Sequence, residues 1–292
     1  MAIEAPSAAG AQEARGSRDD SSGLGVASSN HRSPRYFRQQ VWLTWGILVA
    51  LLAGASYSLH LDYGYVAQKL PFLLGLRLSP DGFIQGAVLT LFVTVVSMVC
   101  ALLVAIVTAF GRLSRNPVAF AVATFYASLF RGTPLMVQVL IIYLALPQIG
   151  IVLGALSSGL IALSLNYGAY LAETIRSGMM AVPAGQREAA MALGLPRWVI
   201  AWKVTGPQAL RLIIPPAGAL FVSMLKDSSL VSLMGLWELN FLAQSYARAT
   251  YRYMEMLIAA ALIYWGLSIV FELVQYRLER HFGRGVATLV RH

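Results

Sequence analysis

From residue 41 onward the chain alternates long apolar runs with short charged breaks. Six runs stand out, at about 41–60, 83–110, 118–147, 149–173, 209–235 and 254–276. Each is close to the ~20 residues that a helix needs to cross a hydrocarbon core. The pattern predicts an all-α, polytopic membrane protein with six spans. The third run is interrupted by Gly132-Thr133-Pro134, which predicts two half-helices rather than one straight rod. Residues 1–40 have no apolar order and are rich in Ala, Ser, Gly and charge. They read as a disordered cytoplasmic tail rather than a cleavable signal peptide. The run at 41–60 follows Arg32, Arg35 and Arg38 and reads as an uncleaved signal anchor. A short tail is expected at 281–292.

Composition agrees. The 292 residues are 58% hydrophobic and 12% charged, where a soluble domain carries about 25% charged residues. The net charge of +9 is a matter of topology, not of nucleic-acid binding. Sixteen of the 22 basic residues fall in the N-terminal tail, the 111–117 loop, the 174–211 loop and the C-terminal end. Lys69, Arg77, Arg248 and Arg252 fall on the other side, while Arg131 and Lys226 lie within runs. The positive-inside rule makes the sixteen-charge side, and with it both termini, cytoplasmic. Cys100 is alone, and His31, His60, His281 and His292 are scattered, so neither a disulfide framework nor a metal site is expected.

Intramembrane charge points to function. Arg131 and the Lys226-Asp227 pair each lie roughly 20 Å of helix rise from the cytoplasmic start of their runs. Arg131 adjoins the Gly132-Thr133-Pro134 break, and Lys226-Asp227 follows Pro215-Pro216. Ionisable groups at matching depth beside helix weak points suit a transporter site. Thr133 is a suitable N-cap and Pro134 a suitable first helical residue. The following half-helix would then aim backbone N–H groups at the break, and the Arg131 guanidinium matches a carboxylate bidentately. Asp227 would take an α-ammonium, and Lys226 would offset Asp227 or meet an acidic group. Thr90 and Ser228 are hydroxyl candidates. The competing reading is a structural ion pair of Arg131 with Asp227 or Glu173. Asn166 and Tyr167 are expected to bond within the bundle or to Glu173, and Glu173 with Arg176 to form a local pair. Tyr246, Tyr251 and Tyr253, with Arg248 and Arg252, suit either a partner contact or a membrane-interface anchor.

The loop at 182–207 contains Gly185-Gln186-Arg187-Glu188-Ala189-Ala190-Met191-Ala192-Leu193-Gly194-Leu195-Pro196. It predicts a short helix, with Gly194 in the left-handed position past its end and Pro196 blocking continuation. Such a helix either packs on its own domain or offers Arg187, Glu188 and a small-residue face to another protein. Glu188-Ala189-Ala190, three residues, Gly194, nine residues and then Val204-Thr205-Gly206-Pro207 resemble the EAA loop of ABC importer permeases. Val204 and Gly206 stand where that pattern has Ile and Leu. More closely, the chain resembles the polar amino-acid permease family of type I importers. It does so through GAVLTL with Thr90-Leu91, RGTPLMVQ at 131–138, NYGAYLAETIRSG at 166–178, VPAGQREAAMALGLP at 182–196 and LKDSSLVSLMGLWEL at 225–239. The match covers about 83–280. The family usually has an asparagine near Ala219; this chain has none.

The resemblance implies a five-helix permease core with one extra N-terminal transmembrane helix, in a bacterial inner membrane. It implies that Gln186, Arg187, Glu188, Ala189, Ala190 and Gly194 couple to a separate ATP-binding cassette subunit. It further implies a second permease subunit, as homo- or heterodimer, and a periplasmic or surface amino-acid-binding protein. ATP and Mg would be bound by the partner, with no cofactor on this chain and no enzymatic role for it. The residues agree: a P-loop needs Gly-Lys, and the three lysines follow Gln68, Trp202 and Leu225. An ion-coupled secondary amino-acid transporter is the alternative, supported by Arg131, Lys226 and Asp227.

Overall fold

The computed structural model describes residues 34–58, 61–79 and 82–282. The parts of the two expected tails at 1–33 and 283–292 lie outside the described residues. Among the described residues the structure is all-helical, with one isolated bridge between Gly86 and Glu238. The first compact unit contributes one described helix, α1 (Pro34–Ser58). It begins earlier than the apolar run, so residues 34–40 are helix and not tail. Proline suits the first turn, where its missing N–H has no partner to lose.

The second unit starts at Leu61. Its first helix, α2 (Tyr63–Leu73), falls where the apolar pattern predicts no element. Asp62 caps it, its carboxylate accepting the Tyr65 N–H at 2.9 Å, and also pairs with Arg252. These two contacts, the backbone N–H first, hold the Asp62 carboxyl below the usual carboxylate range. The principal helices follow: α3 (Gly86–Leu113), α4 (Pro117–Gly132) and α5 (Leu135–Leu140) on either side of the break, α6 (Ala155–Met180), α9 (Gly206–Asp227) and α11 (Tyr253–Phe282). Short elements intervene: α7 (Ala184–Ala192), α8 (Arg197–Val199) and α10 (Leu239–Thr250). Gly86–Leu113, Arg197–Met234 and Tyr253–Arg280 are each long and apolar enough to cross a membrane. Pro117–Gly132 with Leu135–Ile149 makes a fourth, bent by 104° at the break.

Helix α6 is the axis of the unit. Neighbouring helices cover most of it: Ala162, Leu163, Asn166, Tyr167, Ala169, Leu171 and Ala172 are all buried. Ala101, Ala105 and Ala109 line one face of α3 at helical spacing and are buried in the core shared with α6. Such small residues let membrane helices approach closely. At Gly168 a Cβ would stand 2.9 Å from Tyr126 Oη and 3.1 Å from Val104. Pro215 and Pro216 do not break α9, which runs through them; Gln275 of α11 donates to the Pro215 carbonyl at 3.1 Å. A smaller core at the α2 end joins Leu73, Leu239, Leu242 and Met256.

Gly86 begins α3 with φ +62, and a Cβ there would lie 2.4 Å from Leu73 O and 2.5 Å from Phe72 O. Gly86→Ala is therefore expected to destabilise by about 2 kcal/mol or more, read as a lower thermal midpoint in detergent. An unchanged midpoint would show that this junction can yield.

Candidate functional site

The break in the third span is built locally. Asn116 caps α4, accepting from the Val118 and Ala119 N–H groups at 2.9 and 3.3 Å, with Pro117 in the first turn. The helix ends at Gly132, and Thr133 is extended. Thr133 does not cap the next half-helix as expected. Pro134 occupies that position, and the Thr133 hydroxyl turns back to Leu129 O at 2.8 Å. The reason is a side chain that the sequence reading passed over. Gln138 Nε2 lies 2.8 Å from Thr133 Oγ1, 2.9 Å from Phe130 O and 3.1 Å from Thr133 O. Asn166 Nδ2 adds bonds to Phe130 O at 3.1 Å and Gln138 Oε1 at 3.2 Å. Two buried amides thus satisfy carbonyls that the Gly-Thr-Pro interruption leaves without helical donors. The glutamine of RGTPLMVQ, one turn past Pro134, was the available signal. Gln138→Leu should strand these acceptors at about 1–3 kcal/mol. A lowered thermal midpoint with reduced transport would bear this out, and a wild-type midpoint would contradict it.

Beside the break lies a cavity of about 450 Å³ whose lining includes Arg131, Thr133, Asn166, Tyr167, Ser223 and Asp227. A second, of about 540 Å³, is lined by Arg131, Tyr170, Glu173, Ser177, Leu212 and Ala219 among others. Arg131, Tyr170, Leu220 and Ser223 border both. The second cavity reaches Ala181 and Leu212, at the end of the unit that carries α7. Ala219, where the resemblance leads one to expect a nearby amide, contributes only a methyl to its wall.

Three of the six substrate candidates, Arg131, Thr133 and Asp227, therefore line one cavity. Asp227 Oδ2 accepts from Tyr167 Oη at 2.7 Å. Arg131 does not pair with Asp227: its Nη1 lies 3.2 Å from Glu173 Oε2, and its guanidinium sits 5.6 Å from the Tyr170 ring centre. Glu173 also binds Arg112 and Arg176, so three guanidinium groups share one carboxylate. The other three candidates lie elsewhere. Lys226 is exposed and lines neither cavity. Successive helical residues point about 100° apart, so Lys226 and Asp227 cannot both face the break. Ser228 is buried and bonds to Leu225 O at 2.8 Å. Thr90 is buried, accepts the Leu239 N–H at 3.2 Å and lies 3.3 Å from Glu238 Oε2. Glu238, also unforeseen, is fully buried and accepts from the Asn240 and Phe241 N–H groups and from Tyr264 Oη at 2.7–2.9 Å. Its carboxylate joins α3, α10 and α11.

At the far end of α6, the predicted loop helix forms as α7. Gln186, Arg187, Glu188, Ala189 and Gly194 are exposed, and Ala190 is 5% exposed. One small side chain thus faces inward, in a helix that packs on the 200–205 segment with its buried Ile200. The charged face stays open. Gly194 has φ +73, and the Leu195 N–H returns to Ala190 O at 3.2 Å. This closes the helix with the left-handed residue where it was expected.

A broken span beside a cavity lined by Arg131 and Asp227, and an exposed Glu-Ala-Ala helix on the same bundle, can be set against known proteins. Residues 99–284 match the binding-protein-dependent transport system inner membrane components. The chain belongs to that family. It is 35% identical over 223 residues to the arginine transport system permease protein ArtQ of Bacillus subtilis, covering 76% of this chain and 97% of ArtQ. It is 38% identical over 203 residues to the L-cystine transport system permease protein TcyB of the same organism, covering 69% and 87%. A crystal structure of an amino acid ABC transporter with histidines superposes with TM-score 0.69 at 34% identity, over 76% of this chain and 99% of that one. The inward-facing MetNI methionine ABC transporter shares the fold at 20% identity and TM-score 0.57, over 66% and 92%. The chain is thus a permease subunit of an ABC importer, with the five-helix permease core and one additional N-terminal helix. The ion-coupled secondary transporter is thereby excluded.

Proposed function

We propose that this permease carries polar amino acids across a bacterial inner membrane. The carrying observation is that Arg131 and Asp227, opposite charges from two different helices, line one cavity at a helix break. An amino acid is a carboxylate and an ammonium a few ångströms apart. Arg131 offers the fork for the first, and Asp227, held by Tyr167, offers the counter-charge for the second. Thr133 and Ser223 add hydroxyls. Lys226, Thr90 and Ser228 have no place in this reading.

The chain performs no covalent chemistry and holds no cofactor. An ATP-binding cassette subunit, with its ATP and Mg, docks on the exposed face of α7 through Gln186, Arg187, Glu188 and the backbone around Gly194, with Ala189 permitting close approach. Ala190 instead ties α7 to its own unit. A second permease copy or sister chain completes the pathway, and a periplasmic or surface amino-acid-binding protein delivers substrate. The basic end of the bundle is cytoplasmic, as are both termini, so the 540 Å³ cavity is the inner exit. Residues 83–280 form the transport domain, with 182–207 its coupling loop.

The test is a mild-detergent pull-down of the tagged chain from its native membranes, with co-purifying proteins identified and ATPase activity assayed. A P-loop subunit that is lost when residues 185–196 are scrambled is the expected result. A chain that purifies alone and transports amino acids without ATP would refute the assignment.

A further inference from the structure

We propose that Glu173 is a built-in competitor for the substrate's carboxylate: it occupies Arg131 on the inner side of the site and so sets how readily the amino acid is released. The inference rests on the amino-acid reading of the cavity above. It makes Glu173 a positioning residue, acting on substrate through Arg131.

The geometry carries it. Arg131 borders both cavities, while Glu173 lines only the one toward α7. Arg131 thus stands at the boundary, with the break and Asp227 on one side and Glu173 on the other. Of the three arginines on Glu173, Arg131 is the loosest. Arg112 and Arg176 make its tightest contacts, and Arg176 also reaches Oε1 through Nε at 3.1 Å. Arg131 makes one contact at 3.2 Å, and its side chain is 40% exposed against 17% for Arg112 and 27% for Arg176. Losing Arg131 would leave Glu173 with two guanidinium partners, so its charge stays compensated. Losing Glu173 would leave Arg131 without a counter-ion. The pair can therefore open from the arginine's side at modest cost, as a partly exposed ion pair allows.

An incoming carboxylate bound at the break must take Arg131 from Glu173, and its apparent affinity falls by the fraction of time that Arg131 is already engaged. When the bundle opens toward α7, Glu173 recaptures the guanidinium and the substrate carboxylate loses its partner. The Tyr170 ring beside Arg131 supports the guanidinium in either pairing.

The experiment uses the assembled transporter in detergent, without nucleotide, and an equimolar mixture of the twenty proteinogenic L-amino acids as probe. Bound amino acids are quantified after rapid filtration, and turnover is measured separately in vesicles. Glu173→Gln is expected to tighten binding about two- to five-fold, the range a partly exposed pair supports, while turnover falls. A purely structural ion pair predicts a lower thermal midpoint with the dissociation constant unmoved, and that result would overturn the proposal. Glu173→Asp is the companion variant, since removing the carboxylate costs Arg112 and Arg176 their partner. Asp is one methylene shorter, so it loses the 3.2 Å contact to Arg131 first and keeps its charge beside the other two. It should shift affinity in the same direction in a folded protein; unchanged affinity and turnover in Glu173→Asp would likewise overturn the proposal. Arg131→Ala separates the two claims. If it abolishes binding while both Glu173 variants bind as wild type, the cavity reading survives and the competitor role falls. If wild-type protein binds none of the twenty, both fall.

Discussion

Glu188→Arg is expected to abolish amino-acid uptake while the protein still inserts and folds. Glu188 is exposed on α7, a short helix whose buried side is already committed to its own unit through Ala190 and Ile200. Nothing inside the unit depends on the Glu188 carboxylate, so the thermal midpoint of the isolated permease should not move. Against a partner the change is severe. At the proposed coupling interface, charge reversal would turn an attractive contact into a like-charge one, which costs several kcal/mol, or on the order of a hundred-fold or more in association. The uncoupling should appear as ATPase activity that no longer responds to the loaded binding protein. Normal uptake by Glu188→Arg would remove α7 from the coupling assignment. A permease that fails to accumulate would instead point to a folding role that its exposure does not suggest.

Arg131→Ala is expected to remove substrate-dependent transport with assembly intact. In the proposed site the guanidinium would supply a bound carboxylate with charge-assisted hydrogen bonds worth about 1.5–3 kcal/mol. Affinity should therefore fall roughly ten- to hundred-fold. The cost to the fold is smaller, because Arg131 is the outermost of three arginines on Glu173 and the other two remain. Arg131→Lys should rescue only partly, since an ammonium keeps the charge and loses the planar fork. Wild-type affinity and uptake in Arg131→Ala would show that the carboxylate is held elsewhere in the cavity.

Much of the architecture was legible because a bilayer imposes a simple rule. A helix must be about twenty residues long and largely apolar to cross it, and helices α1, α3, α6, α9 and α11 and the bent α4–α5 pair all lie on the six apolar runs. The interruption at Gly132-Thr133-Pro134 was legible for the same kind of reason, since backbone chemistry at Gly and Pro is local. So was the end of α7, where Gly194 takes φ +73. Helices α2 and α10 were not legible. They are 11 and 12 residues long, too short to span, and their apolar faces have meaning only against α11 and each other.

The candidate site divides along the same line. That Arg131 and Asp227 mark a candidate site follows from the cost of placing charge in an apolar run, and both line the cavity at the helix break. Which charge faces which was settled by helix phase and by neighbours distant in the chain. Glu173 is 42 residues from Arg131 and yet its partner, while Lys226, adjacent to Asp227, faces away. The hydroxyls of Thr90 and Ser228 stand beside the right motifs and are spent on a buried carboxylate and a helix carbonyl. Gln138 and Asn166, unremarkable as residues, brace the break because their amides meet at its free carbonyls. The spans, the basic asymmetry of the loops, the broken helix and the short Glu-Ala-Ala helix can all be read from residues close together in the chain. The pairing of Arg131, the exclusion of Lys226, the amide clamp and the open face of α7 emerge only in three dimensions, because each depends on the rotation and packing of helices that share no local signal.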